Sequence, residues 1–87
     1  MSDRIFTDDG WEDYLYWQGQ DRKTLKRINA LLKSIDRTPF EGEGKPEPLK
    51  HEKGKWSRRI NDQDRLVYKY ENGQITIYQC RSHYDDK

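Results

Sequence analysis

All three prolines of this chain, Pro39, Pro46 and Pro48, fall within one ten-residue stretch that also holds Gly42 and Gly44. Proline is excluded from helix interiors and central strands. Residues 38–48 are therefore expected to form an ordered loop or edge segment. That segment separates two regions whose apolar residues repeat with different periods.

The region before it reads as helical. Arg4-Ile5-Phe6 predicts a short strand. Thr7 or Asp8 then caps a helix whose first turns carry Asp8, Asp9, Glu12 and Asp13, where the helix dipole favours carboxylates. Trp11, Tyr14 and Leu15 follow at i, i+3, i+4 as its expected core face, and Gly19 is expected to end it. Asp21 caps a second helix with Leu25, Ile28, Leu32 and Ile35 on one side and lysines and arginines around the other. An acidic helix beside a basic one predicts a helical hairpin with charge complementarity.

The region after it alternates with period two. Trp56, Arg58 and Ile60 alternate with Ser57 and Arg59. Residues 61–64 read as a turn, and Leu66, Tyr68 and Tyr70 alternate with Arg65, Val67 and Lys69. Asn72-Gly73 is a hairpin signal, and Ile75 and Ile77 alternate with Thr76, Tyr78 and Cys80. The expected class is α+β, with two N-terminal helices packed on a twisted antiparallel sheet. Ile60, Leu66, Tyr68 and Tyr70 are expected on the helix-packed face. Arg59 and Arg65 then point from the open face as a shallow cationic groove; a solvated sheet face fits the same pattern.

One domain spanning 1–87 is all this length allows. Sixteen residues are Leu, Ile, Val, Phe or Met and 38% are charged, a balance that leans toward disorder. A net charge of only +1, three Trp and six Tyr argue instead for a folded, aromatic-rich domain that gains stability from a partner or a second copy. Cys80 is the single cysteine, which excludes a disulfide framework, and no apolar run approaches a membrane span. Met1-Ser2-Asp3-Arg4 does not open a signal peptide, so the expected location is cytoplasmic.

Charge is unevenly distributed. Residues 3–17 balance to −4 and residues 50–59, with Lys50, Lys53, Lys55, Arg58 and Arg59, to +4. A basic stretch containing Trp56 suits a phosphate-backbone binder, though a solvated lysine-rich loop is the plainer reading of charge alone. The chemical inventory is short. His51 and His83 are the only histidines, and with one cysteine they do not make a four-ligand zinc site, so no cofactor is expected. Glu47 stands between two prolines on a stiff support. Glutamate and histidine straddle neutrality, with ordinary pKa values of about 4.3 and 6.5, so one accepts a proton while the other donates. With cations for phosphate, this set suits RNA transesterification.

The chain resembles the YoeB/Txe toxins of the RelE superfamily of bacterial toxin–antitoxin systems. The resemblance runs through Trp11-Glu12-Asp13-Tyr14-Leu15-Tyr16-Trp17-Gln18, Arg37-Thr38-Pro39-Phe40-Glu41-Gly42 and Gly44-Lys45-Pro46-Glu47-Pro48-Leu49-Lys50-His51. It continues through Trp56-Ser57-Arg58-Arg59-Ile60 and Arg65-Leu66-Val67-Tyr68 to Cys80-Arg81-Ser82-His83-Tyr84. It implies a microbial-ribonuclease-like fold and a ribosome-dependent messenger-RNA endonuclease acting at the A site. It also implies a homodimer held inactive by a cognate antitoxin of the YefM type, with no role for a membrane.

By the same resemblance Glu47 is the general base on the RNA 2′-OH and His83 the general acid at the 5′-oxygen. Arg65 stabilises the scissile phosphate with Lys50 and Arg59, and Tyr84 positions the nucleotide or phosphate. Asp85, Asp86 and Lys87 depart from the family by following His83-Tyr84, and Ser82 stands where a bulkier residue is common. His51 is expected to be structural, Cys80 a small strand residue, and the tyrosines mainly core. Two other classes compete: a non-catalytic gyrase inhibitor of the ParE type, against which Glu47, Arg65 and His83 together speak, and an RNA-binding module without chemistry.

Overall fold

The computed structural model describes residues 2–82 of the chain. Its order is β1 (Asp3–Phe6), α1 (Asp8–Gln20), α2 (Arg22–Arg37), β2 (Glu47–Pro48), β3 (Lys55–Arg59), β4 (Arg65–Glu71) and β5 (Gln74–Gln79). The strands form one sheet in the order β1-β5-β4-β3-β2, with both helices on one face. The α+β class is the one expected, but the sheet is mixed. β2 through β5 pair antiparallel, whereas β1 lies parallel to β5 with Arg4 opposite Ile75 and Phe6 opposite Ile77. The two helices return the chain to the far edge of the sheet, where β2 runs antiparallel to β1, and the parallel pair forms when β5 comes to lie beside β1.

Both helices are capped as their sequences predict. Thr7 Oγ1 accepts from Gly10 N at 3.1 Å, and Asp21 Oδ1 accepts from Lys23 N at 3.1 Å. The Thr24 hydroxyl and N–H, with the Lys23 N–H, hold the Asp21 carboxyl below its ordinary pKa. α1 runs through Gly19 to Gln20 and ends because Asp21 turns extended to cap α2.

The face α1 buries is not the Trp11–Tyr14–Leu15 face. Gly10 and Asp13 are buried, with Tyr14 and Trp17 packed on the core, while Trp11 and Leu15 are exposed. Gly10 explains the rotation. A Cβ there would lie 2.3 Å from the Ile77 carbonyl oxygen, so glycine alone lets α1 lie this close to β5.

Ile28, Leu31, Leu32 and Ile35 of α2 pack on Ile60, Leu66, Tyr68, Ile75, Ile77 and Cys80 of the sheet. Each such burial contributes about 1.5–3 kcal/mol. Asn72 and Gly73 both have positive φ, 49° and 76°, as a tight β4–β5 turn requires. Asp36 accepts from Ser2 N at 3.1 Å and Arg4 Nη2 at 2.6 Å, fastening β1 to α2. No ion pair links α1 to α2 among the described residues, so the expected charge complementarity is not realised as contacts.

Arg58 departs furthest from a solvated lysine-rich stretch. It is fully buried on the helix-packed face. Nη1 donates to Ser34 Oγ at 2.8 Å and Glu43 O at 3.1 Å, and Nη2 to Thr38 O at 2.6 Å and Glu41 O at 2.8 Å. One guanidinium thus ties residues 38–43 to the core. Its charge is satisfied by neutral oxygens and is not available to a ligand. Gly44 passes so close that a Cβ would lie 3.0 Å from Arg58 Cβ and from Leu31 Cδ2. Trp56, counted with the basic stretch, packs on this side against Phe40, with ring centroids 4.8 Å apart.

Candidate active site

The chain reaches the sheet edge from the Arg58-held loop. β2 consists of Glu47 and Pro48 alone, and Glu47 pairs with Ser57. Pro48 has no N–H to give a further strand, so this is an edge position, as the flanking prolines predict. Glu47 shares the face of Ser57, opposite that of Arg58. Register extends the row to Val67 on β4 and Gln79 on β5. Arg65, opposite Arg59, lies two residues along β4, about 7 Å from that row.

A β-bulge completes the face. Val67 pairs with Gln79 while Tyr68 pairs with Ile77, leaving Tyr78 as the extra residue. Both Tyr78 and Gln79 consequently line the open face, and Cys80, expected to share the parity of Tyr78, turns into the core. The result is a cleft of about 420 Å³ lined by Glu47, Lys50, His51, Lys55, Ser57, Arg65 and Tyr78, with Leu49, Glu52, Val67 and Gln79.

Lys55 Nζ bonds Glu52 at 2.7 Å and sits 4.0 Å over the Tyr78 ring. Among the described residues Glu47, Lys50 and Arg65 form no ion pair, so a carboxylate and two cations face one opening uncompensated. A carboxylate and cations so placed are the groups that proton transfer and phosphate neutralisation would require.

Glu47, Lys50 and Arg65 are therefore brought together as expected. Arg59 is exposed beside Arg65 in register but lies outside the cleft lining, at its rim. His83 and Tyr84 lie outside the described residues, as do Asp85 to Lys87. His51, expected to be structural, is exposed in the cleft wall. Lys55, Tyr78 and Gln79 were not singled out from sequence. The bulge that re-aims the last two has no residue signature, whereas Lys55 was visible as part of the basic stretch.

The cleft leads toward the described C-terminal end, which is clamped. Cys80 N donates to buried Asp13 Oδ2 at 3.1 Å, and Trp17 Nε1 donates to Cys80 O at 2.7 Å. Ser82 N donates to Asp64 Oδ1 at 2.8 Å, and Arg81 stacks 3.6 Å over the Tyr16 ring. Burial, with the charges of Asp13 and Asp64, pushes the Cys80 thiol up to about 12.

Two helices on one face of a mixed sheet, with this cleft on the other, define a RelE/YoeB-like toxin fold. The chain superposes with a TM-score of 0.90 on a chain of the heterotetrameric YoeB–YefM toxin–antitoxin complex from Staphylococcus aureus, at 48% identity over 97% of this chain and 99% of that one. The YoeB dimer from the same organism gives 0.89 at 47% identity, covering 95% and 98% of the two chains. The toxin YoeB of Escherichia coli K12 is 53% identical over 81 residues, 92% of this chain and 96% of that protein. A family model described as YoeB-like toxin of bacterial type II toxin–antitoxin system matches residues 6–84. The chain belongs to that family.

Proposed function

We propose that this toxin is an endoribonuclease that inhibits translation by cutting messenger RNA in the ribosomal A site. The observation that carries the reading is the meeting of Glu47 with Lys50 and Arg65 across one open cleft. In the proposed reaction the Glu47 carboxylate takes the proton of a ribose 2′-OH, and the freed oxygen attacks the adjacent phosphorus. The bond from phosphorus to the 5′-oxygen breaks, and His83 gives that oxygen its proton. Arg65 and Lys50 stabilise the phosphorane charge from the cleft and Arg59 from the rim, and Tyr84 orients the nucleotide. The products are a 2′,3′-cyclic phosphate and a 5′-hydroxyl. All the proton traffic is carried by side chains, so the residues need no cofactor for this step.

The family's setting supplies the partners. A relative is known in complex with YefM and as a dimer. The same partners, a YefM-like antitoxin that silences the cleft and a second copy of the chain, are proposed here. The exposed Trp11, at 46%, and Leu15, at 40%, are apolar surface that a partner would cover. A net charge of +1 is low for a protein gripping free RNA unaided, so the ribosome contributes substrate positioning.

Incubation with translating ribosomes tests the reading. Messenger RNA should be cut by the wild type, spared by Glu47→Gln, and cut far more slowly when naked at matched salt. Intact message on translating ribosomes would refute it.

A further inference from the structure

α2 turns its apolar residues to the sheet, and what it leaves outside is nearly uniform. Its exposed residues are Arg22, Lys23, Lys26, Ala30, Lys33 and Arg37, every one a cation except Ala30. Arg22, Lys26, Lys33 and Arg37 stand at i, i+4, i+11 and i+15, which places them along one side of the helix over about 22 Å. Lys23 lies beside the capping Asp21, but none of these cations forms an ion pair among the described residues. The nearby Asp36 is already taken by Arg4 and Ser2 N, and Glu43 by Arg27.

A groove of about 590 Å³ between α1 and α2 adds the side chains of Gln18 and Asn29 to Arg22 and Lys26. Asn29 Oδ1 accepts from the Tyr14 hydroxyl at 2.8 Å, leaving its NH₂ donors for a ligand. This surface lies across the thickness of the domain from the Glu47 cleft, because α2 covers the other sheet face.

We infer that the outer face of α2 is a second RNA-docking surface, built for the phosphates of a structured duplex and separate from the cleft that takes the single strand to be cut. A duplex presents one phosphate charge per about 1.7 Å of axis, so a 22 Å row of cations meets more than enough of them. An A-form helix is gripped through backbone phosphates and 2′-hydroxyls, for which lysines, arginines and two amides are the matching chemistry. The inference deepens the ribonuclease reading by giving the enzyme a hold on folded RNA that leaves its cleft free, but duplex binding does not require that cleavage occur.

The test is the affinity of the full chain for a 20-base-pair RNA duplex, measured by fluorescence anisotropy between 50 and 200 mM salt, with cleavage on ribosomes scored separately. The variant R22Q/K26Q/K33Q/R37Q should bind at least about tenfold more weakly at 50 mM salt. Its plot of log affinity against log salt should be shallower by about three to four, near 0.9 per lost phosphate contact. R22K/K26R/K33R/R37K should keep both affinity and slope, and an unchanged melting midpoint shows that both variants fold.

Unchanged affinity and slope in the neutralised variant would overturn the inference. So would loss of an acidic protein partner, or of self-association in sedimentation, with duplex binding intact; either would assign this face to protein. Duplex binding that behaves as expected in a protein that cuts no message would leave this surface standing and defeat the nuclease reading alone.

Discussion

Arg58 Nε donates to the Tyr68 hydroxyl at 3.1 Å, and that hydroxyl donates in turn to the Pro39 carbonyl at 2.6 Å. Burial raises the Tyr68 pKa despite the neighbouring guanidinium, so the phenol remains a neutral donor. The pair locks the loop that delivers Glu47 to the sheet edge. Arg58→Leu leaves the buried Ser34 hydroxyl and three part-buried carbonyls without this donor and is expected to destabilise the fold by about 3–5 kcal/mol. Tyr68→Phe should cost about 1–3 kcal/mol. Denaturant unfolding checks both, and a loss below about 1 kcal/mol for Arg58→Leu would show that the latch carries little.

Asp64 receives the Ser82 N–H at 2.8 Å, immediately before the proposed general acid in the chain. Asp64→Ala removes that acceptor. Displacement of a reacting group by about 1 Å costs on the order of 10²-fold in rate. Asp64→Ala should therefore lower kcat by about 10–100-fold with KM nearly constant, and Asp64→Asn, which keeps an acceptor oxygen, should recover most of it. Equal losses in kcat and stability for both variants would reduce Asp64 to a structural role.

The Cys80 thiol, pushed up to about 12 in the native protein, is neutral and inert. Labelling with a disulfide reagent at pH 8 should proceed only as fast as the protein opens, and guanidinium should accelerate it sharply. The same shift sets a pH dependence. The unfolded thiol ionises near 9 and the native one near 12, so this contribution to stability is complete below about pH 9 and declines as pH rises toward 12. Rapid labelling of the native protein at pH 8 would contradict the burial.

Much of this was legible in the sequence because one physical rule acted alone. The 3–4 spacing of Ile28, Leu32 and Ile35, the alternation of Leu66 and Tyr68, Asn72-Gly73 and the proline-flanked Glu47 all behave as their local chemistry dictates. What was not legible depended on two elements at once. Parity put Arg58 on the inner face, but its charge argued for solvent until the carbonyls of residues 38–43 supplied acceptors. The bulge at Tyr78 inverted the parity of Cys80, and the close approach at Gly10 turned α1 away from its most apolar stripe. The parallel pairing of β1 with β5 joins segments far apart in sequence, which no local pattern encodes. Of the candidate site, Glu47 was legible from its flanking prolines and Arg65 from strand parity, while Lys50 and Lys55 stood only as members of a basic stretch. Tyr78 was missed because the bulge alone brings it to the cleft.

The chemistry is tested most directly by the ends of the cut RNA and by the sugar at the cut. Attack by the 2′-oxygen requires a 2′,3′-cyclic phosphate and a free 5′-hydroxyl. A message carrying one 2′-deoxyribose at the scissile position should resist cleavage on the ribosome, and Glu47→Gln should cut the normal message about 10²–10⁴-fold more slowly while remaining folded. If the deoxy substrate is cut at the normal rate, or the upstream product ends in a plain 3′-hydroxyl, the 2′-OH is not the nucleophile and the roles given to Glu47 and His83 are wrong.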